Sequence, residues 1–413
     1  VLREEIASKL ADAMSARDRK YHTIQHVVDV AGDFQGVVCL AALFHDVIYA
    51  QVDRRIPPRW APLIPEFLYE ASLHWKLPDP SQLETGIPRQ TYERVLQVFG
   101  WTSGAQTNVF QGANEFLSAL VAARTFARIL PEKEWLSIVA LIEATIPFRD
   151  KPLEELRSRL EKMGLWTSAE LERILDQGAA LVSRDLSSFA NPDSREFLKQ
   201  TWTIVLEGNP IFRSPCFTVS QYRQALERLE NYFQSLHLDR LQASIQMRNS
   251  DPKVGKTIQT NLSVGKSFLQ AQYDYVLALE AFSHLTGGDV PYAIFLRDFD
   301  TRVAQGLVVP TEMPDDARSA IELLSSEGPQ SSISEAYEFQ FTFSKGAAYL
   351  FSVLDEESRT QLRSRSQEYR SDPESWALPV LRALPVSFLK RLQSAAQEAL
   401  LTRAQAAAAL QFE

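Results

Sequence analysis

Val37-Val38-Cys39-Leu40-Ala41-Ala42-Leu43-Phe44-His45-Asp46 is the stretch that decides how this chain is read. Its apolar run has no polar face to turn to water, so it belongs to a helix inside a core. The run ends in His-Asp, and an aspartate is rarely buried unless it is paired or bound to metal. Upstream, Tyr21-His22-Thr23-Ile24-Gln25-His26 sets two histidines four residues apart, with Asp29 three further on. On a helix that spacing brings side chains to one face. Three of the chain's six histidines therefore fall within residues 22–45, beside carboxylates. Imidazole suits Mn, Fe and Zn, and carboxylate extends the range to Mg. A lone histidine is more often a satisfied core side chain; His22, His26 and His45-Asp46 together, in helical phase, favour a site.

Working outward, helical periodicity dominates the chain. Apolar residues recur at three- and four-residue spacing in 3–16, 24–34, 63–77, 113–130, 134–146, 168–182, 194–206 and 219–238. Turn chemistry separates these segments at Arg55-Ile56-Pro57-Pro58, Leu77-Pro78-Asp79-Pro80, Thr102-Ser103-Gly104 and Ala190-Asn191-Pro192-Asp193. Ser168 and Asp193 are the expected helix caps. A polar stretch from Arg248 to about Asn261 marks the expected boundary between a first domain at 1–240 and a second at 262–413. Helices resume at 267–285, 315–325 and 386–410. Tyr337, Phe339, Phe341 and Phe343 alternate with polar residues as in a strand, yet their helical surroundings tip the reading to helix. The fold class expected is all-α, a helical bundle followed by a second helical domain.

Composition narrows the function. The chain has 413 residues and a formal net charge of −9, which disfavours a nucleic-acid coat protein but not a small phosphorylated ligand, because a bound cation supplies local positive charge. Two isolated cysteines, Cys39 and Cys216, make neither a disulfide framework nor a zinc ribbon and fit a reducing, cytoplasmic setting. No apolar stretch is long enough to span a membrane, and the charged, amphipathic Val1-Leu2-Arg3-Glu4-Glu5-Ile6 is unlike a secretory signal. Gly255-Lys256-Thr257 and Gly265-Lys266-Ser267 lack the first glycine of a phosphate loop.

Tyr21-His22-x-x-x-His26 followed by Phe44-His45-Asp46-Val47-Ile48-Tyr49 resembles the HD superfamily of metal-dependent phosphohydrolases. The likeness is to its bacterial branch with Tyr-His-Asn-x-x-His and Phe-His-Asp-x-x-Tyr motifs, and the pattern is similar to that of cyclic nucleotide phosphodiesterases. The family's last ligand is a distant aspartate, which Asp185 in Arg184-Asp185-Leu186-Ser187-Ser188 matches. The resemblance covers about residues 1–238. It implies a divalent cation (Mn, Mg, Fe or Zn) held by His26, His45, Asp46 and Asp185, with Asp46 bridging to a second ion if one is present. It implies that His22 protonates the leaving oxygen, and that Asp29 orients a histidine. Thr23 replaces the branch's asparagine, and His74 is the only histidine between Asp46 and Asp185, so a binuclear site using two extra histidines cannot be built in the usual way.

Asn114, Glu115 and Thr145 lie on mid-domain helices as candidate pocket residues, and Arg17, Arg19, Lys20 and Arg149 as candidate phosphate contacts. The function implied is hydrolysis of a phosphomonoester or phosphodiester, of a nucleotide by preference. The competing reading is a binding or scaffold protein with a degenerate site. The C-terminal half carries no legible chemistry, which leaves it pocket covering, homodimerisation or binding of a protein partner.

Overall fold

Helix α7 (Glu132–Ala144) shows why the first part of the chain folds as it does: every residue from Trp135 to Ala144 is buried. A helix apolar all round must be surrounded, and α3, α5, α6 and α9 pack against it. The computed structural model describes residues 2–65, 74–147, 149, 151–214, 216–236, 238–245, 252–296, 298–310, 312–326, 343–368 and 373–411. Before α7 come α1 (Leu2–Met14), α2 (Ile24–Ala31), α3 (Gly36–Phe44), α4 (Ala50–Asp53), α5 (Ile87–Phe99) and α6 (Ala113–Phe126). After it come α8 (Pro152–Met163), α9 (Ser168–Asp185), α10 (Ser194–Gly208), α11 (Val219–Ser235), α12 (Leu238–Ile245) and α13 (Pro252–Gly287). The remaining helices are α14 (Asp298–Val303), α15 (Asp315–Leu324), α16 (Lys345–Val353), α17 (Glu356–Glu368), α18 (Pro373–Arg382), α19 (Val386–Ala399) and α20 (Ala404–Ala409). The fold is all-α, as expected, and no helix among the described residues is long and apolar enough to cross a membrane.

The expected helix over 63–77 is corrected at its end. Strand β1 (His74–Lys76) pairs antiparallel with β2 (Gln106–Asn108), with Trp75 opposite Thr107. Trp75 and Leu77 are buried while Lys76 between them is exposed, the two-residue period of a strand. Pro78 also bars the preceding residue from helical geometry. Residues 66–73, and the alternation at Tyr337, Phe339 and Phe341, lie outside the described residues; Phe343 is buried.

Helix starts follow local chemistry. Asp193 caps α10, accepting from the Arg195 N–H at 2.8 Å. At α9 the cap is Thr167 rather than Ser168: its hydroxyl accepts from the Glu170 N–H, and the Glu170 carboxylate accepts from the Thr167 N–H at 2.7 Å. That reciprocal box needs a glutamate three residues after the cap, which only Thr167 has.

The chain divides into two units: Val1–Pro192 with Leu206–Gly208 and Leu236–Ile258, and Asp193–Val205 with Asn209–Ser235 and Gln259–Glu413. The cut expected from composition, near 240, differs from this division. The polar stretch around 252–261 is helical and opens α13, and α10 gives its last turn, Leu206–Gly208, to the first unit. In the second unit, the α13 segment Tyr275–Phe282 is buried throughout. Its acids are neutralised in place: Asp274 by Arg363 at 2.9 Å and Glu280 by Arg223 at 2.5 Å.

Candidate metal centre

Four side chains from three places in the first unit converge. His26 lies on α2, His45 and Asp46 at the end of α3, and Asp185 at the end of α9. Asp185 continues the buried stripe of Leu171, Ile174, Leu175, Gly178, Leu181 and Val182, so helical phase alone turns a carboxylate inward. Arg184 next to it donates to the Val30 and Ala31 carbonyls at 3.2 and 3.0 Å and pairs with Asp33 at 2.7 Å. These bonds satisfy the C-terminus of α2 and tie it to α9. Gly32 ends α2 with φ +46°, and a Cβ there would stand 2.5 Å from the Arg184 Nη1.

His26 Nε2 lies 3.2 Å from Asp185 Oδ1 and 3.5 Å from Asp46 Oδ2; His45 Nε2 lies 2.9 Å from Asp46 Oδ2 and 3.5 Å from Asp185 Oδ1. The distances are those of ion pairs, but the directions are not those of hydrogen bonds: both Nε2 atoms are buried and unbonded. His26, His45 and Asp185 each offer an atom within 4.8 Å of the others. The His45 Nδ1 stands 2.7 Å from the Ala42 carbonyl, which only accepts, so Nδ1 carries a proton and Nε2 faces the carboxylates. Two buried imidazole nitrogens facing two carboxylates are a donor set that, once the rings give up their protons, fits a divalent cation.

Without a cation, charge is distributed between rings and acids. Burial works against a charged His26, yet the close carboxylates of Asp185 and Asp46 outweigh it and push the ring up to about 9. Burial likewise opposes a charged His45, and the two aspartates hold it well above the ordinary range. Asp46 and Asp185 are correspondingly held below the usual carboxylate range: burial opposes, and the histidines prevail.

His22 does not join the four. Its Nδ1 meets Glu207 Oε2 at 2.6 Å, and its ring stacks on Tyr49 with centroids 3.9 Å apart. It remains next to the cluster, 5.7 Å from the His26 ring between centroids. Glu207, fully buried in the last turn of α10, also accepts from the Lys20 and His22 N–H groups at 3.2 and 3.3 Å. Sequence reading missed Glu207, because 185 residues separate it from His22 and nothing local marks it.

Arg19 is buried and fully engaged. It forks onto Asp53 at 2.9 and 2.6 Å and donates to the carbonyls of Asp46 at 2.8 Å and His22 at 3.2 Å. Its guanidinium is thus a clamp that sets two segments of the site, with its donors already committed. Asn114 is similar: its Oδ1 accepts from the Ala50 N–H at 3.1 Å and its Nδ2 donates to Gln51 at 2.7 Å. Ser118, one turn on, accepts from the Ile48 N–H at 3.1 Å. Both pin the loop after Asp46 to α6. Glu115 lies between them, with Oε2 buried and unbonded. Burial, then the nearby charges of Asp46 and Asp185, push its carboxyl up to about 7, with its own backbone N–H and His45 opposing.

The other candidates are placed elsewhere or turned to water. Asp29 is exposed and accepts from Gln25 at 2.6 Å, while Ala42 and Glu207 orient His45 and His22. Arg17 and Lys20 are exposed. Arg149 binds the buried Glu143 at 2.5 Å, together with Arg159, and Thr145 bonds the Ile142 carbonyl at 2.7 Å. No family model, no curated protein and no solved structure matches this chain.

Proposed function

We propose that this chain is a metal-dependent phosphohydrolase of the HD type, acting on a phosphomonoester or phosphodiester, of a nucleotide by preference. The observation that carries the reading is the pair of buried, unbonded imidazole Nε2 atoms of His26 and His45, turned toward Asp46 and Asp185. These four residues would hold the cation, Mn, Mg, Fe or Zn. A divalent cation there would supply Lewis acidity at the phosphoryl group and charge to receive an anionic substrate.

The chain's own residues account for the proton. His22 has Nδ1 occupied by Glu207, so its Nε2 is the atom left to face a substrate. Hydrolysis adds water across the P–O bond: the new O–P bond forms as the old one breaks, the leaving oxygen takes a proton, and the proton that the water gives up passes to solvent, from which the donor is recharged. His22 Nε2 delivers that proton, while the Glu207 carboxylate and the Tyr49 ring fix the imidazole's orientation. Arg19 positions the backbone on both sides of this arrangement. The His22, His26, Asp46 and Asp185 side chains each retain 11–19% exposure, so the cluster has a wet side by which substrate can enter.

The test is a screen of phosphorylated metabolites and nitrophenyl phosphate esters against the Mn-loaded chain, with elemental analysis of the same sample. Turnover that disappears on chelation and in Asp46→Ala supports the reading. A chain that takes up no stoichiometric cation overturns it in favour of a scaffold with a degenerate site.

A further inference from the structure

Arg54 is the only residue other than glycine, among the described residues, with a positive φ, +55°. It closes α4, its N–H donating to the Ala50 carbonyl at 2.9 Å. This left-handed conformation is the one glycine or asparagine takes at a helix end, and it crowds the Cβ of any larger residue. Strain kept at one position points to a task for the side chain held there. That side chain is exposed, as is Arg55 after it. The Arg19 guanidinium joins this turn to the segment carrying the candidate proton donor: it forks onto Asp53, next to Arg54, and donates to the His22 carbonyl at 3.2 Å. At its other end α4, a single turn about 6 Å long, starts directly after Tyr49, whose ring stacks on His22.

Charge is uneven as a result. The whole chain carries −9, yet residues 17–20 and 53–55 hold five cations, Arg17, Arg19, Lys20, Arg54 and Arg55, against two carboxylates, Asp18 and Asp53. Arg19 is buried on Asp53, while Arg17, Lys20, Arg54 and Arg55 are exposed. A basic patch on an acidic protein draws anions to one place and repels them from the rest. The scissile phosphate would have the cation to meet its charge, so the patch answers to a further anion. We infer that Arg54, with Arg17, Lys20 and Arg55, forms a subsite for a second phosphate, one carried by the leaving group. The two basic segments are tied to His22, which would hand its proton to the leaving oxygen, so an anion held there belongs to the departing half of the substrate. The planar guanidinium fork matches phosphate oxygens, and lysine adds a point charge. The substrate class is a phosphate ester of an alcohol that itself bears phosphate, as in a nucleoside bisphosphate. The inference rests on the phosphohydrolase reading and adds to it the class of substrate and the residue that selects it.

The Mn-loaded full chain tests it on two pairs of esters that differ by one phosphate on the leaving alcohol: adenosine 3′,5′-bisphosphate against adenosine 5′-monophosphate, and the 5′-phosphorylated adenylyl dinucleotide against the unphosphorylated one. In wild type kcat/KM is expected to be about tenfold or more higher for the phosphorylated member. Arg54→Gly, which removes the cation and suits the backbone, is expected to keep its denaturant midpoint at or above that of wild type. It should lower the preference by about tenfold or more, chiefly through KM, the equivalent of one charge-assisted hydrogen bond. Should that variant fail to fold, Lys20→Ala takes its place, with the same direction expected and the same refutation. Equal kcat/KM within each pair in wild type, or a preference that the variant leaves intact, overturns the subsite. Preference in the first pair alone supports it with a small bisphosphate as substrate, and in the second alone with an oligonucleotide end. Should no ester be turned over, the phosphohydrolase reading falls, and calorimetric binding of adenosine 3′,5′-bisphosphate decides on the subsite separately: weaker binding by Arg54→Gly upholds it, and no difference from wild type overturns it.

Discussion

Cation affinity should fall steeply as pH is lowered from about 9 toward 6. In the cation-free chain His26 titrates at about 9, and His45 is also held well above the ordinary range. The proton sits on the Nε2 that a cation must take, so each ring releases a proton when it binds. Below about pH 9 the apparent affinity should then drop about tenfold per pH unit for His26 alone, and up to about a hundredfold if His45 is charged as well. At pH 7, two units below, His26 contributes a penalty of about 3 kcal/mol. Stability of the cation-free chain runs the other way. A raised histidine contributes stability that is fully present below its ordinary value of 6.5 and lost as pH rises through about 9, worth about 3 kcal/mol. Calorimetric titration with Mn in buffer pairs of different ionisation enthalpy measures the protons released, and denaturant unfolding of the cation-free chain measures the second effect. A flat affinity between about pH 6 and 8, with no proton release, would refute this account of the site.

Four further outcomes are expected. His26→Ala should lose cation and turnover together, whereas His22→Ala should keep the cation and lose turnover by roughly 10²–10⁴-fold, the range for a general acid; the loss should shrink on nitrophenyl esters, and an equal loss on poor and good leaving groups would remove His22 from that role. Glu207→Gln should keep the cation and lower kcat by about 10- to 100-fold, the equivalent of one charge-assisted hydrogen bond; unchanged kcat would show that the contact is only structural. Arg19→Met should destabilise the chain by about 3–5 kcal/mol, since it strands the Asp53 carboxylate and two site carbonyls; denaturant midpoints decide, and a loss under about 1 kcal/mol would dismiss the clamp. Gly32→Ala should cost about 1–2 kcal/mol, and cation affinity should weaken with it, because the new methyl displaces Arg184 beside Asp185; wild-type affinity would separate that contact from the site.

The all-helical class and the convergence of His26, His45, Asp46 and Asp185 were legible in the chain's order of residues, because both rest on helical phase. Two histidines four apart, a His-Asp at the end of an apolar run and an aspartate on the stripe of α9 point inward in any packing that buries those faces. Phase does not say what a side chain meets when it gets there. Arg19 read as a phosphate contact and is spent on Asp53 and two carbonyls; Asn114 read as pocket lining and holds a loop. Glu207 had no local mark, because its partner is 185 residues away and its burial depends on where the last turn of α10 comes to rest. The strand at His74–Lys76 likewise depended on Gln106–Asn108 coming alongside, since the first and last strand residues are more than thirty positions apart. Local periodicity settles which face of an element is buried at a cost of a few dihedral angles. Pairing across long loops is paid in closure entropy and decided by competing packings, so only the tertiary structure determines which buried acid finds an arginine, which finds a histidine and which, like Asp300, finds a hydroxyl and backbone N–H groups.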